Sequence, residues 1–114
     1  MMKSTRISTL DKRVRIERPL ISRGRMGQEN EPRAFELVRA VWAGIRTPTG
    51  REVENANQLQ AQISLVVSMR HQPELEPTMR LVYGSRILKI VWINNVDEAN
   101  RQLDVYCIES KDQT

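Results

Sequence analysis

MRLVYGSRILKIVWI, residues 79 to 93, is the stretch on which the fold turns. Two arms rich in β-branched and aliphatic side chains flank Gly84 and Ser85, a pair suited to a two-residue turn because glycine takes positive φ without steric cost. The stretch therefore predicts a β-hairpin. Upstream, ISLVVSMR (63 to 70) places Ile63, Leu65, Val67 and Met69 on one face, the period of two expected of a strand with one buried side. HQPELEP (71 to 77), with Pro73 and Pro77, turns the chain between these strands. Downstream, NNVDEANRQ (94 to 102) reads as a connection with at most one helical turn. LDVYCIE (103 to 109) alternates Leu103, Val105 and Cys107 with Asp104 and Tyr106.

The N-terminal half continues the pattern. AFELVRAVWAGIRT (34 to 47) sets Val41, Ala43 and Ile45 against Ala40, Trp42 and Gly44, and is read as a strand with helix competing at its start. LDKRVRIERPLI (10 to 21) puts Val14 and Ile16 on one face and Asp11, Arg13, Arg15 and Glu17 on the other. Pro19 donates no amide hydrogen and marks an edge or an end of that strand. SRGRMGQENEPR (22 to 33) has no hydrophobic rhythm and reads as a long loop. Thr49 precedes Glu52 by three residues, the spacing of a reciprocal helix cap, so a short helix is expected to begin there. REVENANQLQAQ (51 to 62) offers only Val53, Ala56, Leu59 and Ala61 as apolar anchors and is expected to project from the body. The sum is an all-β chain, a small antiparallel β-barrel of about six strands with long loops and one short helical insertion. Closure is the economical solution because it removes two long exposed edges.

A length of 114 residues fits a single domain, 1–114, with residues 1–9 and 110–114 read as flexible tails. No apolar run approaches the roughly 20 residues that span a bilayer, and MMKSTRISTLDKR lacks the apolar stretch of a secretion signal. No membrane association is expected, and the chain is expected to be made in a cytoplasm. Enzyme motifs are absent: there is no phosphate loop, no HExxH and no CxxC. The nearest candidate for nucleophilic catalysis would pair Cys107 with His71, but Cys107 lies in the apolar rhythm of a strand and His71 opens a Pro-containing loop, so Cys107 is read as an ordinary buried cysteine. Glu74 and Glu76 sit in a turn with nothing nearby in sequence to perturb them. No catalytic residue, cofactor or metal is expected.

Charge is unevenly spread. Residues 1 to 25 carry Lys3, Arg6, Lys12, Arg13, Arg15, Arg18, Arg23 and Arg25 against Asp11 and Glu17, within a net charge of +4. Arginine suits bidentate contacts with carboxylate or phosphate. Three readings stay open for this front: a solvated strand face with cross-strand ion pairs, a surface for an acidic protein, or a phosphate contact. Arg13, Arg15 and Arg18 are its candidate contact face. A nucleic-acid-binding barrel of this kind usually adds exposed aromatics for stacking, and this chain has only five aromatic residues. Trp42 and Trp92 are read as core or interface plugs.

Three blocks taken together, LDKRVRIERP (10 to 19), VWAGIRTPTGREVENANQLQAQ (41 to 62) and MRLVYGSRILKIVWINNVDEANRQLDVYCIE (79 to 109), resemble the phage head-tail joining, or head-closure, family. The resemblance runs from Leu10 to about Glu109. In the first loop the chain reads GRMGQENEPR followed by Phe35, where members often carry an acidic residue, paired glycines and a Trp. The resemblance implies a structural virion neck protein: a homo-oligomeric ring below the portal, stacked on a portal-side adaptor ring and offering a surface to a tail-terminator or tail-side protein, with packaged DNA in its channel. It also implies that long loops, rather than the barrel, reach the neighbouring rings or the channel. Mapped here, the ring-interface or channel candidates are Arg51, Glu52, Glu54, Asn57, Gln58 and Gln60. The adaptor or tail contacts are Arg23, Arg25, Met26, Gln28 and Glu29. Assembly would take place in the host bacterial cytoplasm, with the virion neck as destination. The alternative is a stand-alone nucleic-acid-binding barrel using the basic N-terminal strand.

Overall fold

The computed structural model describes residues 10–20 and 34–110. Within them, six strands close into one antiparallel barrel: β1 (Lys12–Leu20), β2 (Ala34–Arg46), β3 (Leu65–Arg70), β4 (Arg80–Tyr83), β5 (Arg86–Asn95) and β6 (Gln102–Ser110). One helix, α1 (Gly50–Gln58), is inserted between β2 and β3, and a single 3-10 turn (Val96–Glu98) lies between β5 and β6. Around the barrel the order is β1-β2-β3-β6-β5-β4. No helix among the described residues is long and apolar enough to cross a membrane. The expected loop 22–33 and the expected tails lie outside the described residues, apart from Ser110, which closes β6.

The hairpin expected at 79 to 93 is β4 and β5, with Tyr83 paired to Arg86 and Gly84 at φ 63 in the turn between them. Alternation fills the barrel as read from the sequence. Val14 and Ile16 of β1, Val41 and Ala43 of β2, Val67 and Met69 of β3, and Leu103, Val105 and Cys107 of β6 all belong to one buried cluster with Leu81 and Leu88. Burying these side chains supplies the main driving force for closure, roughly 25 cal/mol per Å² of apolar surface removed from water.

Two irregularities break the alternation. Between Ile90 and Trp92 the register against β6 shifts: Ile90 pairs with Cys107, Trp92 with Tyr106, and Val91 is the extra residue. A bulge of this kind inverts which residues face inward beyond it. Ile93 thereby packs against the core, and Trp92 lies with Tyr106 on the outer face. In β2 the extra residue is Val38, between Leu37 opposite Glu17 and Arg39 opposite Ile16. Val38 packs against the core while Arg39 is exposed and reaches Glu74 at 3.3 Å and Gln72 at 3.2 Å.

Candidate functional site

The outer face of β2, β3 and β6 carries a polar cluster that no sequence motif announces. Arg46 ends β2, Val66 stands beside it on β3, and Tyr106 stands beside Val66 on β6. One pair further along, Gly44, Ser68 and Asp104 are aligned in the same way. These positions alternate with the inward core residues, so they point outward. Val66 is nevertheless fully buried, and Ser68, Asp104 and Tyr106 nearly so. Helix α1 lies on this side.

Glu52 fastens the helix there. Nη1 and Nη2 of Arg46 donate to Oε1 and Oε2 of Glu52, both at 2.9 Å, the planar fork geometry that makes arginine–carboxylate pairs strong. The Tyr106 hydroxyl donates to Oε2 at 2.9 Å, and the Thr49 amide donates to Oε1 at 2.8 Å. The Thr49 hydroxyl in turn accepts from the Glu52 amide at 3.2 Å, completing the capping box. The expected cap is therefore present, and its glutamate serves two ends, one on the helix and one on the barrel.

Electrostatics follow from this geometry. The hydrogen bonds from Arg46, opposed by burial and joined by those from Thr49 and Tyr106, pull the Glu52 carboxyl from 4.5 down to about 2. Burial first, and then the carboxylate beside it, push the Tyr106 phenol up to about 12. The bond to Glu52 likewise raises Arg46. Asp104 backs the cluster. Its Oδ1 accepts from the Ser68 hydroxyl at 2.9 Å and the Gln102 amide at 3.1 Å, and its Oδ2 lies 3.9 Å from Arg46 Nη2. Trp92 stacks on Tyr106 with ring centroids 4.5 Å apart and planes at 20°. Among the described residues, no buried side-chain nitrogen or oxygen is left without a hydrogen-bond partner.

The insertion is thus held more firmly than its composition suggests. The weak apolar anchoring expected for 51 to 62 is corrected at the segment's base: Ala56 is fully buried, and Glu52 is committed to Arg46 and Tyr106 rather than offered to solvent. The reason is that the anchors are polar, an ion pair to Arg46 before the segment and a hydrogen bond from Tyr106, 54 residues beyond Glu52, and apolar counting along the segment sees neither. Of the other candidates on this segment, Arg51, Glu54, Asn57 and Gln58 are exposed on α1 and Gln60 is exposed just beyond it. Arg23, Arg25, Met26, Gln28 and Glu29 lie outside the described residues.

The basic strand face is largely paired within the chain. Arg15 Nε is 3.4 Å from Glu17, which also binds Arg80 at 2.9 Å, and Arg18 Nε is 2.6 Å from Glu36. Arg13 instead lies over the Trp42 ring, 5.0 Å from its centroid. Cys107 is sealed inside the barrel, where burial pushes its thiol up to about 12, far from a reactive thiolate at neutral pH. Among the described residues, no three His, Cys, Asp or Glu side chains come together as metal ligands would.

Against known proteins, the family model described as phage head completion protein matches residues 5–110. No curated protein matches the chain. Among solved structures, protein SF1141 from Shigella flexneri 2a superposes with a TM-score of 0.72 at 19% identity, over 95% of this chain and 99% of that one. A chain from the virion of a native gene transfer agent particle superposes with a TM-score of 0.64 at 15% identity, over 92% of this chain and 97% of its own. At these identities the two structures share the fold.

Proposed function

The chain belongs to the phage head completion protein family, and from that membership we propose that it is a neck protein whose copies form a ring. The ring closes the DNA-filled head below the portal and its adaptor ring and gives the tail a surface to attach to. The work is mechanical: identical barrels packed around an axis make heterologous contacts that close on themselves. Assembly takes place in the host cytoplasm, and the virion neck is the final location.

The observation that carries this reading is the clamp on α1. A closed barrel has satisfied its own hydrogen bonds, so a helix locked to its outer wall by Arg46, Glu52 and Tyr106 is a rigid projection whose exposed side faces other molecules. Arg51, Glu54, Asn57 and Gln58 are the residues it offers to a neighbouring subunit or to DNA in the channel. The segment bearing Arg23, Arg25, Met26, Gln28 and Glu29 is assigned to the adjacent adaptor or tail-side ring.

Replacing Arg51, Glu54, Asn57 and Gln58 together by alanine keeps the clamp and tests the assignment. The expected result is a folded barrel and heads that leak DNA or fail to join tails. Infectious particles at normal yield from that variant would sink the reading.

A further inference from the structure

The large apolar side chains left exposed among the described residues lie on β1 and β2 and on α1 with its C-cap. Leu20, Leu37 and Trp42 are 47%, 57% and 53% exposed and belong to β1 and β2; Val53 and Leu59 are 37% and 73% exposed and belong to α1 and its C-cap. Regular alternation would turn Leu37 and Trp42, five positions apart, to opposite faces. The bulge at Val38 brings them to one face, with Leu37 beside Glu17 and Trp42 beside Arg13, both opposite the inward Val14 and Ile16. The α1 patch meets β2 at its end, where the clamp holds Arg46, and otherwise lies over β3 and β6, its clamp reaching Tyr106 on the strand farthest from β1 in the closed order.

We propose that these two patches are the halves of one heterologous contact between copies of this chain, the outer β1–β2 face of one copy seated on α1 of the next. The inference rests on the ring reading above and names the faces that make the ring. Exposed apolar patches mark contact sites, and a contact between two different patches propagates around a ring instead of stopping at a dimer. Charge favours the same pairing. Arg13, over Trp42, has no carboxylate partner among the described residues. Glu54, next to Val53, has no cation partner there, even with Arg51 three positions earlier on the same helix. Seating Trp42 against Val53 and Leu59 brings Arg13 toward Glu54 and satisfies both. An α1 held by Glu52 is a fixed seat, so little ordering of the helix is needed on contact.

The test uses assembled phage particles carrying Trp42→Cys, Leu59→Cys, or both, treated with a short bis-maleimide. Cys107 is buried and stays out of the reaction. The double variant is expected to give a ladder of linked subunits, each single variant none. Arg13→Glu and Glu54→Arg are expected each to lower incorporation into particles at least several-fold and to restore it when combined. Leu37→Cys replaces Trp42→Cys as the donor position should the latter not fold. A dimer as the dominant product of Trp42→Cys alone overturns the proposal in favour of a two-fold contact. A ring seen by electron microscopy with no ladder from either double variant overturns the proposed faces while the ring reading stands; particles without such a ring overturn both.

Discussion

The Tyr106 hydroxyl donates to Oε2 of Glu52 at 2.9 Å, joining the last strand of the barrel to the first turn of α1 across 54 residues of chain. The same carboxylate receives both guanidinium nitrogens of Arg46, so one side chain ties the helix to two strands. Removing any one partner therefore loosens a helix that has few apolar contacts of its own.

Tyr106→Phe keeps the ring that stacks on Trp92 and removes only the hydroxyl. A hydrogen bond to a charged acceptor contributes about 1.5–3 kcal/mol. The variant is expected to lose about that much stability in urea unfolding. Amide exchange in residues 50–58 is expected to rise more than in the barrel strands.

Acid should weaken the clamp. The Glu52 carboxyl lies at about 2 in the folded chain and near 4.5 when its partners are gone. The stability it contributes is thus complete above 4.5 and lost as pH falls from there through about 2, because the unfolded chain binds the proton first. Glu52→Gln is expected to be less stable at neutral pH and to show a flatter decline between those values. Parallel urea titrations of both proteins at several pH values measure the difference.

Gln60 follows the C-cap at φ 58, with the Ala61 amide bonded to the Ala56 carbonyl and the Gln60 amide to that of Asn57. This is the helix ending that glycine fits best, since a side chain in left-handed backbone costs on the order of 1 kcal/mol. Gln60→Gly is expected to raise the melting temperature by a few degrees. A fall would show that the glutamine side chain contributes more than its backbone costs.

Ile16 is fully buried in the centre of β1, between Arg39 of β2 and Leu81 of β4. Ile16→Ala leaves a cavity that a closed barrel cannot collapse around, at a cost of about 2–5 kcal/mol. Calorimetry should register the drop, while Leu59→Ala, at a position 73% exposed, should leave stability nearly unchanged.

The amino-acid order by itself determined the six strands, the turn at Gly84, the cap at Thr49 and most of the inward face. Each is written in neighbours a few positions apart: alternation fixes which face is buried, and a glycine or a threonine–glutamate pair fixes a local turn. Val14, Ile16, Val67, Met69, Leu103, Val105 and Cys107 were all legible in this way. Tertiary structure alone decided the bulges at Val38 and Val91, which turn Leu37 to the side of Trp42 and Trp92 to the side of Tyr106. It alone brought Arg46, Glu52 and Tyr106 together. A bulge is chosen by how two strands must register once the barrel closes, and a clamp across 54 residues exists only after closure has set its ends side by side. Both depend on distances between strands, and period-two alternation along one strand carries no information about them.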